Sequence, residues 1–548
     1  MDKPLQATAS PDTWQSAPNS HSPAHPLAAP LQSFWQLVHG PLAHWAQQRP
    51  DDIALRSASQ HYSFAALHAE VQTRSQRIAA QQLPATVLLD AEASAMERIV
   101  DFLAIIDSGR CAAVADPDWP AAVREQVPQW LPQEPCALQS AQPESAFYTG
   151  FTSGSTGLPK GFMRHHRSWT ESFRVGIQDF GAVAAQRTLA PGRMSHSLFL
   201  FGVMQALWCG VGAVVQEQFS AGRSLALLAA GDIPCLVAVP SQLMVMLQLA
   251  QRRQLPPIPE VQLITISGAR WMRAQTPALR ALFPHARIVE FYGASEASFI
   301  AWMDAGENAP ALAVGRPFSN VQLQIRKQQP ADEDGLIFIQ SPMLFMDYVG
   351  PASSSAQPAP DMPSSIGVLR DGPWLSVRDM GHIDASGLLH LAGRQSRMLV
   401  TQGKNLFPEE VENLLCSHPG IAKASLYGLP NALRGLEIHA VIELAPHDGT
   451  DDDAGKTDTP ALHAAQLSQW LREQLEAYKL PRHWWLCQHW PMTASGKTDH
   501  GALQQALHQA LTPSPSLAAE SATESTAASL AEPSEQSPCG ALLTTWSA

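Results

Sequence analysis

The sequence predicts an α/β fold spread over more than one domain, and three observations lead there. First, short apolar runs recur along the chain: ATVLLD (85–90), CAAVAD (111–116), CLVAVP (235–240), VQLITISG (261–268) and ARIVEFYG (286–293). Each has the length and continuous hydrophobicity of a strand covered on both faces, and each is followed by a helix-like stretch. Second, the texture changes after Gly393 to a compact mix holding two helical patterns, Pro408 to Leu415 and an amphipathic Ala464 to Tyr478. A domain boundary is placed near Arg394. Third, 548 residues are too many for one ordinary core.

The ends and the insertions follow from composition. Residues 1–28 are rich in Pro, Ala, Ser and His without periodicity and read as a loose tail. From Thr512 to the end the chain holds no Lys or Arg and is dominated by Ser, Ala, Pro and Glu. Such a tract buries too little surface to order itself, so 512–548 is expected to fray, with Leu542, Leu543 and Trp546 able to dock weakly. The expected organisation is thus a tail (1–28), a large domain (29–393), a small domain (394–511) and a second tail. SSSAQPAPDMPSS (353–365) and HDGTDDDAGKTDTP (447–460) read as exposed insertions. No solenoid repeat is visible.

Charge and cysteine usage narrow the function classes. With 36 basic and 49 acidic side chains the net charge is −13, and no long Lys/Arg run occurs, which argues against a nucleic-acid surface. Hydrophobic residues make up 45%, enough for sizeable cores. Seven scattered cysteines without a CxxC pair favour a reducing compartment, hence the cytoplasm, over a disulfide framework. LFLFGVMQALWCGVGAVV (198–215) approaches the length of a membrane span, but it contains Gln205 and three glycines. A buried helix followed by a strand is expected instead.

One stretch carries chemistry. YTGFTSGSTGLPKG (148–161) packs four glycines, five Ser or Thr and one Lys into fourteen positions. Glycines let backbone N–H groups approach a ligand, hydroxyls add short donors, and Lys160 adds a compact positive charge. Together they suit an anion, most often a phosphate. The GxxxxGK[ST] phosphate loop does not fit, because Gly161 follows Lys160. The GKT at 496–498 has Pro491 where that motif needs glycine. GASEA (293–297) lacks the closing glycine of a nucleophile elbow.

TSGSTGLPKG (152–161), followed by His166, closely resembles the signature loop of the adenylate-forming enzymes, which include acyl-CoA synthetases, stand-alone adenylation enzymes and luciferases. The resemblance runs from about residue 31 to residue 510. It implies a large N-terminal domain of layered α/β sheets and a small, mobile C-terminal α+β lid. It implies too that Thr152, Ser153, Gly154, Ser155, Thr156, Gly157 and Lys160 handle the ATP phosphates. FYGASE (291–296) matches the family's Tyr-Gly-x-Thr-Glu pattern with Ser for Thr. Tyr292 would present a flat face to adenine, beside Gly293, Ala294 and Ser295, and Glu296 would hold Mg²⁺ as a hard carboxylate ligand. ISGAR (266–270) resembles the segment covering the other adenine face, with Gly268 and Ala269.

Downstream, VRDMGHID places Asp379 where relatives carry a ribose-binding aspartate, an acceptor suited to two hydroxyl donors. AGRQSRMLVTQGKNLFPEEVE (392–412) resembles the joint between domains, with Arg394 near the ribose and Ser396 at the hinge. Here Ser396 stands where Asp is usual, Val400 where Lys is usual, and Leu336 where a Glu is common. PMTASGKTDH (491–500) resembles the C-terminal lysine loop, so Lys497 joins Glu296 and Thr152 as catalytic candidates.

The implied reaction has two steps: a carboxylate attacks the ATP α-phosphate, releasing pyrophosphate, and a thiol then displaces AMP. LAPGRMSHSLFLFG (189–202) resembles the acyl-pocket segment, with His196 bordering the carboxylate or thiol path. No acidic residue occurs between Arg193 and Gln216 to pair with an ammonium, which disfavours an α-amino acid and leaves a fatty or aryl acid. Gly403 would let pantetheine pass, and the segment around it resembles the CoA-ligase version. ATP and CoA are therefore the implied co-substrates. A carrier-protein pantetheine as acceptor, and an adenylate-binding protein without catalysis, are the alternatives.

Overall fold

The computed structural model describes residues 13–14, 35–137, 140–153, 159–310, 312–330, 332–350, 367–401, 404–431, 435–445, 462–493, 497–511 and 542–546. The chain divides into two compact units, Met1–Leu391 and Ala392–Ala548.

In the first unit a five-stranded sheet begins with β1 (Thr86–Leu88) and β2 (Cys111–Ala113). It continues through the long hairpin β3 (Ala146–Ser153) and β4 (Pro159–His165). Helix α1 (His166–Phe180) follows at once. Its start is fixed by His165, whose Nδ1 accepts from Ser168 N at 3.1 Å. Trp169, Phe173, Ile177 and Phe180 fall on one face at helical spacing and are buried.

β5 (Thr188–Ala190), α2 (Ser197–Trp208), β6 (Ala213–Val215), β7 (Cys235–Ala238) and β8 (Leu263–Ile266) then alternate, ending in β9 (Arg287–Ala294) and β10 (Ser298–Asp304). The order β6-β5-β7-β8-β9 is parallel, and β10 returns antiparallel on β9, all within a 16-stranded sheet. β11 (Asp347–Val349) comes back to the edge of the five-stranded sheet, beside β4. β12 (Asp379–Ile383) belongs to the large sheet. Aromatic rings cement α1 and α2 to the strands: Phe201 lies 5.0 Å from Phe173 and 5.1 Å from Phe299, and Phe299 stacks on Phe318 at 4.6 Å.

The second unit holds α3 (Pro408–Ser417), the hairpin β13 (Ile421–Asn431) and β14 (Gly435–Leu444), α4 (Ala464–Arg472), β15 (His483–Cys487) and β16 (Leu543–Thr545). Its sheet order is β13-β14-β15-β16. Leu415, Ile438, Ala440, Leu467 and Leu471 form its buried centre.

The α/β class and the helix-then-strand reading of 198–215 match the structure. No helix among the described residues is long and apolar enough to cross a membrane. Four details differ from the sequence expectations. β9 is followed by a strand rather than a helix, because Ala297 N bonds Ala294 O at 3.1 Å and closes a tight turn. The helix expected over 464–478 stops at Arg472, and a single 3₁₀ turn, Ala477–Lys479, follows. The C-terminal stretch expected to fray contains β16, which covers the edge of β15 (Cys487 opposite Leu543) and buries Leu543. Thr13–Trp14, in the expected N-terminal tail, pair by their backbone with Gln324 and Leu323. The insertions at 353–365 and 447–460, and the remainder of both tails, lie outside the described residues.

Candidate active site

The Gly/Ser/Thr loop connects β3 to β4. Register places Thr152 opposite Lys160 and Ser153 opposite Pro159, so the loop is the tip of a long hairpin. Gly154, Ser155, Thr156 and Gly157 lie outside the described residues. Thr152 Oγ1 donates to the Lys160 carbonyl at 3.4 Å, a long bond across the hairpin mouth.

Gly161 explains how β11 approaches so closely. A Cβ there would sit 2.7 Å from the Val349 carbonyl oxygen, inside van der Waals contact. The close register sets Tyr348 opposite Phe162. The Lys160 ammonium then lies 3.2 Å from the centre of the Tyr348 ring, a cation–π contact. The Tyr348 hydroxyl donates to Glu296 Oε1 at 2.7 Å. Burial lowers the Lys160 ammonium from its ordinary value, with Glu296 and Asp347 opposing that shift. Lysine, phenol and carboxylate from three separate segments thus meet at one place.

Glu296 reaches this point on the β9–β10 turn. Phe345 N donates to the Glu296 carbonyl at 2.8 Å, and Arg164 Nη1 donates to the Ser295 carbonyl at 2.6 Å. Ser298 closes the turn in the left-handed region (φ 60), its hydroxyl 2.8 Å from that of Ser172 on α1. Gly293 and Ala294 end β9 opposite Phe299 and Ser298. The Tyr292 hydroxyl donates to Asp379 Oδ2 at the start of β12, so the residues expected to meet adenine and ribose are in contact. Asp379 is buried.

Gly268, with φ +88, turns the chain just past the carboxyl end of β8, followed by Ala269. β8 and β9 are parallel neighbours, Ile266 opposite Glu290, so this turn and the Tyr292 segment emerge at the same end of the sheet. The next strand reverses direction, and crevices at the carboxyl ends of parallel strands are where α/β sheets take ligands. His196 precedes α2 at its N-cap, its ring 5.4 Å from that of Phe199, and both Phe199 and Phe201 are buried.

In the second unit, Arg394 ends the strand Leu389–Arg394, and Ser396 lies in the 3₁₀ turn Gln395–Arg397; both are exposed. Arg397 pairs with Glu409 at 3.1 Å and Glu412 at 2.6 Å on α3, tying this turn to the first helix of the second unit. Gly403 lies outside the described residues. Lys497 is exposed on a loop closed by Thr493 N to Lys497 O (2.7 Å) and Lys497 N to Thr493 Oγ1 (3.2 Å).

Two residues of this constellation escaped sequence reasoning. Tyr348 sits in MLFMDYVG, where nothing local marks a site. Arg164 lies in the basic run RHHR, yet it is only 2% exposed. Its signal is position: on a strand, Phe162 and Arg164 share a face, and Phe162 is an inward residue.

The donor set suits a hard divalent cation. Glu296 offers a carboxylate with one oxygen held by the Tyr348 hydroxyl, and Mg²⁺ is commonly bound by one carboxylate plus substrate phosphates and water.

The chain matches the family model described as AMP-binding enzyme over residues 81–349, and the AMP-binding enzyme C-terminal domain over residues 410–497. It is 34% identical to the uncharacterized acyl–CoA ligase YhfT of Bacillus subtilis, over 68% of this chain and 71% of that protein. It is 27% identical to the putative long chain fatty acid–CoA ligase VraA of Staphylococcus epidermidis, over 83% and 95% respectively. A similar fold occurs in o-succinylbenzoate CoA synthetase (MenE) of Bacillus subtilis in complex with the acyl-adenylate OSB-AMP. That match has TM-score 0.68 and 20% identity, covering 84% of this chain and 97% of that one. The same synthetase in complex with ATP and a magnesium ion matches with TM-score 0.67 and 21% identity, covering 83% and 97%.

Proposed function

From the premise that the chain belongs to the AMP-binding enzyme family and is an AMP-forming acid–CoA ligase, we propose that it activates an apolar carboxylic acid, fatty or aryl, through an acyl-adenylate. The observation that carries this reading is the meeting of Lys160, Tyr348 and Glu296 at the tips of the two motif hairpins.

A carboxylate and a polyphosphate repel each other, so the site must supply positive charge and fixed geometry. In this reading the 152–160 hairpin tip holds the β- and γ-phosphates, with Lys160 as the charged member. Its ammonium is already partly desolvated against Tyr348, which strengthens its pull on an incoming anion. Glu296 would hold Mg²⁺, which would neutralise phosphate charge there. Tyr292 faces adenine, Gly268 and Ala269 cover its other side, and Asp379 accepts from the ribose hydroxyls. The acid oxygen attacks the α-phosphorus, the bond to the β-phosphate bridging oxygen breaks, and pyrophosphate leaves. Lys497 stabilises the charge on the bridging oxygens during that step. In the second step the thiol loses its proton to solvent, its sulfur attacks the acyl carbon, the bond to the AMP oxygen breaks, and the thioester forms as AMP leaves.

Phe199, Phe201 and the absence of acidic residues between Arg193 and Gln216 support an apolar acid, with His196 at the pocket border. Six described cysteines are free thiols, which suits a reducing cytoplasm.

The test is pyrophosphate release with ATP and Mg²⁺ across aliphatic acids of graded length, aryl acids and amino acids. Each is followed by product analysis with CoA or a phosphopantetheinylated carrier protein. Activity with apolar acids and CoA is expected. Release only with amino acids would overturn the substrate class, and thioester only on the carrier would overturn the acceptor. Nucleotide binding with silence toward every acid would identify an adenylate-binding protein instead.

A further inference from the structure

Arg164 is the most deeply buried charge near the two hairpins, and its hydrogen bonds form an unusual set. Nη1 donates to the Ser295 carbonyl at 2.6 Å, Nη2 to the Met343 carbonyl at 2.5 Å, and Nε to Ser168 Oγ at 3.2 Å. The guanidinium therefore binds carbonyls of two segments that both hold Glu296. Ser295 precedes Glu296 on the β9–β10 turn, and Met343 lies two residues before Phe345, whose N–H donates to the Glu296 carbonyl at 2.8 Å. Strand alternation puts Arg164 on the same face of β4 as Lys160.

Burying a guanidinium without a carboxylate in hydrogen-bond contact is expensive, and a neutral side chain would fill the space at lower cost. The acidic group whose charge acts on it is Glu296, with the neutral Tyr148 phenol the other neighbour. Burial nevertheless brings the guanidinium down to about 10. A planar fork that reaches two separated carbonyls is what lysine, with one ammonium, does not reproduce. We propose that Arg164 is a positioning residue: its fork fixes the Ser295–Glu296 turn relative to β4, so that the carboxylate and Lys160 take up one metal–triphosphate unit together. The inference rests on the reading of Glu296 as the metal ligand.

The variants are Arg164→Lys, Arg164→Met and Glu296→Gln in the full chain. Mn²⁺ binding in the presence of a non-hydrolysable ATP analogue is measured by electron paramagnetic resonance. In parallel, thioester formation is followed from supplied acyl-adenylate and CoA, a step that uses neither metal nor triphosphate and so reports an intact fold. Both Arg164 variants are expected to weaken Mn²⁺ about 10-fold or more, as loss of an outer-shell partner does, with the second step within about twofold. Because Arg164→Lys keeps the charge and loses the fork, it decides the matter even if Arg164→Met fails to fold. Tighter Mn²⁺ binding in Arg164→Met would show that only charge repulsion was removed, and would overturn the proposal. So would unchanged Mn²⁺ affinity in folded variants, or parallel loss of both steps. Weakened Mn²⁺ in Glu296→Gln with unchanged Arg164 variants sinks this inference alone. Unchanged Mn²⁺ in Glu296→Gln removes the metal role of Glu296 and this inference with it.

Discussion

Replacing Tyr348 by Phe removes the hydroxyl and keeps the ring. The rings are isosteric, so the Lys160 contact at 3.2 Å survives, and the 2.7 Å bond from the hydroxyl to Glu296 Oε1 is lost. A hydrogen bond to a charged acceptor contributes about 1.5–3 kcal/mol. At about 1.4 kcal/mol per tenfold, losing it from the adenylation transition state slows that step about 10- to 100-fold. The assay is acid-dependent ATP–pyrophosphate exchange at several Mg²⁺ concentrations, with thermal melting as the control for fold. A variant that melts normally and exchanges at the parent rate at every Mg²⁺ level would refute the idea that the phenol orients Glu296. Tyr348→Leu, which also removes the ring under Lys160, should lose about a further 0.5–2 kcal/mol. Equal losses in the two variants would mean that the cation–π contact contributes nothing to catalysis.

Three further outcomes are expected. Lys497→Ala should lose ATP–pyrophosphate exchange by about 10²-fold or more, as for a deleted charge stabiliser, yet still convert supplied acyl-adenylate to thioester; unchanged exchange would exclude Lys497 from the first step. Asp379→Asn replaces one acceptor oxygen by a donor opposite the Tyr292 hydroxyl, so calorimetric titration should show AMP binding weakened about 10- to 100-fold, and parent-like affinity would contradict the ribose assignment. Acid should loosen the second unit. Burial, with repulsion from His483, lowers His439 to about 4, and burial, with repulsion from Arg397, lowers His500 to about 4, while Glu437, Glu412 and Asp499 oppose. Between about 4 and the ordinary 6.5 the unfolded chain binds protons that the folded chain does not. The stabilisation is therefore complete above 6.5 and lost as pH falls toward 4, on the order of 1–2 kcal/mol for the pair after solvent screening. Hydrogen exchange of β14 and β15 peptides at pH 7 and pH 5 checks this, and equal protection at both would refute it.

Much of the site was legible because its parts are local. The Gly/Ser/Thr loop, FYGASE and VRDMGHID each announce a backbone turn and a donor or acceptor within a few residues, and two of these motifs meet where the Tyr292 hydroxyl donates to Asp379. The strand after β9 was misread because a four-residue turn, Ala294 to Ala297, competes with a helix start in the same small residues. The terminal strand was missed because low-complexity sequence around it hides three residues whose fate depends on an unfilled sheet edge.

The sequence alone determined which side chains are chemically available: the strand alternation, the glycine-rich hairpin tip, the lone lysine near the end and the acid-poor stretch around His196. Only the tertiary structure decided who stands beside whom. Tyr348 is 52 residues from Glu296, and Arg164 lies 131 and 179 residues from the carbonyls it joins. Local propensity carries no information at such separations. They are set by the packing of two sheets, by a strand that Gly161 lets in close, and by a buried charge that is tolerable only where that packing supplies acceptors for it.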